Sequence, residues 1–243
     1  MTALAREIER ATGRGVRVLI IDSGVDDQHP ALRQVSVSHY AARADLLGAC
    51  AVHPDVCGDA SGHGTAVAAI IASYAPNVAL TSLRIFGEGN RATSEFLLAA
   101  LDWGITQGFD VINASFGTTY LALLARFKAR VDSAFVNGSV IVSASHNFDV
   151  RVVEFPAHFP TVVSVEAAEL PPLAIERVPK RLVEFRAAGI NLRTAWRDGG
   201  WAVMSGSSFA APHVAALVAR IKEVRPNWNA AQVKSGLYEL CPP

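Results

Sequence analysis

The sequence predicts an α/β domain of three layers, a mostly parallel twisted sheet with helices on both faces. Three observations carry that expectation. Short apolar, β-branched runs alternate with segments of helical periodicity along the chain. Of the 243 residues, 51% are hydrophobic and only 18% charged, which is enough to fill a large buried core. No internal repeat, low-complexity stretch or linker divides the chain.

The first apolar run, residues 16–21, reads as a buried strand, and similar runs follow at 78–85, 111–113, 140–143 and 162–165. Helical patterns lie between them at 65–73, 94–107 and 120–137, with a longer helix at 208–224 and a last one at 229–240. Strands alternating with helices of this length imply βαβ units and a doubly wound sheet. Breakers crowd 46–61 and 171–200, which are expected to be surface excursions. Residues 1–15 read as an N-terminal extension and 16–243 as the domain. A short helix within 3–11 is a candidate mask over the binding cleft. In open sheets of this kind ligands gather at the carboxyl ends of the strands.

Composition excludes several partners. With 22 basic and 22 acidic side chains the net charge is zero, so no basic face is available for nucleic acid or an acidic membrane. No apolar run approaches the 18 or so residues of a membrane span. The first 15 residues mix acids and bases without an apolar stretch, so a cytoplasmic protein is expected. The odd cysteine count suits no disulfide framework; Cys50 and Cys57 share one loop and would pair only if oxidised. Cys50, Cys57, His53 and His63 lack the short paired spacing of a structural zinc site, so no metal and no cofactor is expected.

Three polar clusters follow apolar runs or open helices. Asp22-Ser23-Gly24 ends the first strand, where a carboxylate can orient a histidine, cap a turn or bind a metal. Ser61-Gly62-His63-Gly64-Thr65 sets a histidine between glycines at a helix start. Ser205-Gly206-Ser207-Ser208-Phe209 opens another helix, where a serine is either a cap or a nucleophile whose oxyanion the helix N-terminus favours. Pro212 is expected in the first turn of that helix. Singly the signals are weak. Jointly they give the order Asp22, then His63 41 residues on, then Ser208 a further 145 on.

On these motifs the sequence resembles the subtilisin-like serine proteases. Leu19-Ile20-Ile21-Asp22-Ser23-Gly24-Val25-Asp26 with His29-Pro30, Gly62-His63-Gly64-Thr65-Ala66-Val67-Ala68 and Gly206-Ser207-Ser208-Phe209-Ala210-Ala211-Pro212-His213-Val214 are similar to the family's Asp, His and Ser motifs. Ser207 stands where threonine is usual and Phe209 where methionine is usual. The likeness extends over about residues 16–226 and implies a subtilisin-like fold. It also implies a serine endopeptidase in which His63 takes the Ser208 proton while Asp22 orients the imidazole. Asn147, after the run Val140–Ser143, matches the family's oxyanion asparagine. His213 is expected to be a satisfied core histidine and His29 a motif turn residue.

The resemblance further implies a polypeptide substrate bound as an extended strand between two backbone edges, Asn90-Arg91-Ala92 and Ser115-Phe116-Gly117. Phe116 and Leu97 would line an apolar S4 pocket. Glu154 falls where glycine is common at the S1 floor, so Arg or Lys is expected at P1; the competing expectation has Glu154 in solvent or paired with Arg151. Three departures stand out. His146 replaces the glycine of the oxyanion motif, where its ring would narrow S1 or swing over it. The helix after His63 leads almost directly into the next strand, leaving no space for a calcium loop, so no calcium is expected there. Only about 15 residues precede the first strand, too few for a pro-domain, so the expectation is that the chain folds unaided, that a separate chain assists it, or that this sequence is a trimmed core. A specific processing protease is the expected role. The alternative is a catalytically silent peptide-binding module, and acyl transfer to an amine would use the same residues.

Overall fold

The computed structural model describes residues 2–44, 50–87, 89, 92–147, 149 and 151–241. Thirteen strands are described: β1 (Arg17–Asp22), β2 (Gly24–Val25), β3 (Val37–Ala44), β4 (Cys50–Pro54), β5 (Gly58–Asp59), β6 (Ala79–Arg84), β7 (Val111–Ala114), β8 (Val140–Ala144), β9 (Val163–Ala168), β10 (Ile175–Arg177), β11 (Phe185–Ala188), β12 (Leu192–Ala195) and β13 (Trp201–Met204). The helices are α1 (Ala3–Ile8), α2 (His63–Tyr74), α3 (Ser94–Thr106), α4 (Leu124–Val136), α5 (Ser207–Val224) and α6 (Ala230–Leu240).

Nine strands form one sheet in the order β10-β11-β9-β8-β7-β1-β6-β3-β4. The interior pairs are parallel, and β10 and β4 close the two edges antiparallel. β1 lies between β6 and β7. Alternation along β1 divides its side chains between two cores. Val18 and Ile20 join the layer of α2 and α5, whereas Leu19 and Ile21 join the layer of α3 and α4. A strand buried on both faces must be apolar throughout, hence its run of branched residues. The three-layer α/β expectation therefore holds, and the expected strands and helices recur with ends shifted by no more than four residues.

Four readings need correction. Residues 171–200 are not a surface excursion: they contain β10, β11 and β12, and Phe185 is fully buried. Arg186 alternates with that apolar face, so the segment lacks the continuous apolar run of a central strand. The 46–61 loop likewise holds β4 and β5. The N-terminal segment does not cover the cleft; Leu4 and Ile8 are buried in the core, and α1 packs on α5 and α6. Glu223 at the end of α5 fastens it, accepting the amides of Thr12, Gly13 and Arg14 at 2.6, 2.6 and 3.1 Å. Pro212 falls in the second turn of α5, because the helix already starts at Ser207; the ring removes the amide that would bond the Ser208 carbonyl.

Phe127 on α4 is fully buried beneath the α3–α4 layer. Phe127→Ala is expected to cost about 3–5 kcal/mol, read as a lowered midpoint in chemical denaturation.

Candidate active site

β1, β7 and β8 deliver their carboxyl ends to one side of the sheet, where a cleft of about 780 Å³ opens. Asp22 is the last residue of β1 and is 1% exposed. Its two oxygens lie 2.8 and 2.9 Å from His63 Nδ1, and Oδ1 also accepts the amide of Ser23 at 2.8 Å. The imidazole is thereby held with Nδ1–H toward the carboxylate and Nε2 free toward the cleft.

His63 is the first residue of α2, and the turn before it depends on glycine. Gly62 has φ of 93°, a left-handed value that other residues adopt at a cost. A Cβ on Gly64 would strike the carbonyl oxygen of Gly24. The helix start is held by Asp59. Its Oδ1 accepts the amides of Ser61 (3.0 Å) and Gly62 (2.8 Å) and the hydroxyl of Ser23 (2.7 Å). Oδ2 accepts the amide (2.7 Å) and hydroxyl (2.6 Å) of Thr65. Sequence reasoning missed Asp59. The available signal was a carboxylate just before a helix start, in the position that satisfies orphan amides.

Burial pushes the pKa of His63 down, but the charge and hydrogen bond of Asp22, with the charge of Asp59, outweigh it. The net shift is upward from the ordinary 6.5.

Ser208 is the second residue of α5, where its amide has no intrahelical partner. Among the described residues its Oγ makes no hydrogen bond to His63, an open geometry common before substrate binds. Both side chains line the same cleft.

Asn147 reaches the cleft just past β8. Its Oδ1 accepts both the amide and the hydroxyl of Ser207 at 2.8 Å. The Ser207 hydroxyl also lies 2.5 Å from the carbonyl of Ser145. With Oδ1 committed to the Ser207 amide, the flip of Asn147 is decided and its NH₂ group is left as the donor end. Ser207, which sequence reasoning noted only as a replacement, thus positions Asn147.

Of the other expected residues, Ala92, Leu97, Ser115, Phe116 and Gly117 line the cleft. Asn90 and Arg91 lie outside the described residues. Glu154 also lines the cleft, so close over Gly117 that a Cβ there would strike its carboxyl group. Arg151 does not pair with it; that guanidinium holds Asp149 at 2.9 and 3.0 Å. Burial raises the Glu154 pKa above the ordinary 4.5, against the charges of His146 and His158. His146 lines the cleft, its Nδ1 accepting the Asp149 amide at 3.1 Å.

His29 is a turn residue, as expected: its Nδ1 accepts the Ala31 amide and Nε2 meets the Gly200 carbonyl at 2.7 Å. His213 is buried but not satisfied. Neither ring nitrogen has a partner among the described residues, and burial holds its pKa at about 4.

The fold and this cleft define a hydrolase-type centre of aspartate, histidine and serine on a parallel α/β sheet. Residues 13–239 match the subtilase family, and the chain belongs to that family. Subtilisin from Bacillus pumilus is 29% identical over 248 residues, spanning 93% of this chain and 83% of its own length. Subtilisin NAT from Bacillus subtilis subsp. natto is 29% identical over 246 residues; the match covers 93% of this chain but only 60% of that protein. The fold is also that of a solved S41 psychrophilic protease, at a TM-score of 0.76 and 24% identity over 94% of this chain and 84% of that one. A cold-adapted subtilisin-like serine proteinase gives 0.71 at 24% identity, over 93% and 82%. No helix among the described residues is long and apolar enough to cross a membrane.

Titration of His63 tests the electrostatics. NMR of the imidazole protons should place its pKa above 6.5, and Asp22→Asn should lower it, since burial then meets only the Asp59 charge. The raised value also stabilises the fold at acidic pH. That contribution is complete below about 6.5, the ordinary value, and is lost as pH rises through the folded pKa.

Proposed function

We propose that this chain hydrolyses peptide bonds in a polypeptide bound as an extended strand, through an acyl-enzyme on Ser208. The observation that carries the reading is the Asp22–His63 pair in one cleft with Ser208 and with Asn147 oriented by Ser207. His63 Nε2 takes the Ser208 proton as Oγ attacks the scissile carbonyl, and later returns it to the leaving amine. Asp22 stabilises the imidazolium. The Ser208 amide and the Asn147 NH₂ group donate to the tetrahedral oxyanion, which is why an asparagine with its oxygen already committed suits the position. The substrate backbone pairs with the edge at Ser115–Gly117.

The same reading assigns Glu154 to the S1 pocket as an anion favouring Arg or Lys at P1. Its support is the carboxyl group lying over Gly117 in the cleft, partly desolvated and free of Arg151. A P1 cation would meet it in a charge-assisted bond.

Labelling by a fluorophosphonate probe should occur at Ser208 and vanish in Ser208→Ala; a folded wild-type chain that stays unlabelled would point to the silent peptide-binding module instead. Asp22→Asn should lower kcat by about 10⁴, and Asn147→Ala by about 10²–10³, in a peptide-hydrolysis assay. Profiling of cleavage sites should give Arg or Lys at P1, with the preference weakened in Glu154→Gly. The preference should fade as pH falls, beginning higher than for an exposed glutamate, because burial raises the Glu154 pKa. A profile indifferent to basic P1 residues sinks the S1 assignment and leaves the peptidase reading standing.

A further inference from the structure

Away from the cleft, three different donor types converge from separate stretches of chain. Asp27 follows β2, His39 lies on β3, and Cys57 precedes β5. His39 Nε2 is 2.9 Å from Asp27 Oδ2, and Cys57 Sγ is 2.9 Å from Asp27 Oδ1. One ligand atom from each residue lies within 4.8 Å of the others. Asp26 Oδ1 is a further 3.9 Å from the sulfur.

We propose that Asp27, His39 and Cys57 bind a borderline-soft divalent transition-metal cation of the zinc class. Thiolate, imidazole and carboxylate together suit Zn²⁺ and Co²⁺, whereas Ca²⁺ and Mg²⁺ take oxygen alone. Bond lengths of about 2.3 Å to sulfur and 2.0–2.2 Å to nitrogen and oxygen set the donors of a tetrahedral site roughly 3.4–3.6 Å apart. The present spacings, 2.9 Å at the short end and within 4.8 Å throughout, bracket that value, so side-chain adjustments of about 1 Å would close the shell around an ion. The site is empty. Binding releases the Cys57 thiol proton to solvent, forms the metal–sulfur bond, and leaves a fourth position to water or Asp26.

Position gives the site a consequence. β5 pairs with β2 directly after Asp22-Ser23, and β5 ends on Asp59, which holds the start of α2. A cation joining residues 27, 39 and 57 would clamp the β2, β3 and β5 segments, which adjoin Asp22 at the end of β1 and His63 at the start of α2. The cation is a structural tie, remote from the reacting atoms.

Co²⁺ titration of the full chain, in a Ser208→Ala background that removes autolysis, tests this. One equivalent should produce sulfur-to-cobalt charge-transfer absorption, which only a thiolate ligand gives. It should be lost in Cys57→Ser and in His39→Ala, each checked for folding by circular dichroism, and retained in a Cys50→Ser, Cys241→Ser double variant. Zn²⁺ at about a hundredfold excess over Kd should raise Tm by roughly 5–10 °C. Absence of the charge-transfer band, its survival in Cys57→Ser, or an unchanged Tm overturns the proposal. Should Cys57→Ser not fold, the band's survival in His39→Ala does the same. Each result is independent of whether the chain cleaves peptides.

Discussion

The carboxylate of Asp59 receives five hydrogen bonds, three from backbone amides at the start of α2 and two from the hydroxyls of Ser23 and Thr65. Those bonds join three segments: the end of β1, the β5 turn and the helix carrying His63. The Ser23 hydroxyl in turn accepts the Gly64 amide at 3.1 Å, so the residues flanking Asp22 and His63 are tied directly. The first amides of any helix lack partners, and a negative charge there also meets the positive end of the helix dipole. Placing the anion four residues before His63 serves both needs. It also brings a second negative charge to bear on the imidazole without taking Asp22 from its role.

The electrostatics of the site follow from that arrangement. Burial works against an imidazolium, and Asp22 and Asp59 more than offset it. The Asn147 side of the cleft is built the same way, from polar groups already tied to one another. The Ser207 amide donates to Asn147 Oδ1, so the oxygen and NH₂ ends of that side chain cannot exchange places without losing this bond. Glu154 is the contrasting case: a carboxyl group lodged over a glycine and destabilised as an anion by burial.

Much of the fold was legible because the central strands are buried on both faces and must be apolar throughout. Runs such as Val18-Leu19-Ile20-Ile21 announce themselves. β3, β4, β10 and β11 were not legible, since near a sheet's edge polar residues alternate with apolar ones and the segments resemble loops. Arg186 beside Phe185 is an example: its guanidinium pairs with Glu166 on the neighbouring strand while the phenyl ring is buried. The N-terminal segment misled for a related reason. Leu4 and Ile8 lie four apart on one helical face, but which surface they cover depends on where α5 and α6 pass.

The residue order Asp22, His63, Ser208, and the glycines and small residues around them, were determined by the sequence alone. The local backbone chemistry of a strand end and two helix starts is written in adjacent residues. Everything that depends on residues far apart in the chain was decided by tertiary structure. Asp59 became the anchor of α2 only when β5 folded against β2, and Ser207 found Asn147 across 60 residues. Glu154 acquired its character from Gly117 lying beneath it. Asp27, His39 and Cys57 have no ligand-like spacing in the sequence, and their donors meet because β3 lies in the large sheet while β2 pairs with β5 beside it. Spacing along the chain reports only contacts made within an element or its turn; donors brought together by the sheet leave no such mark.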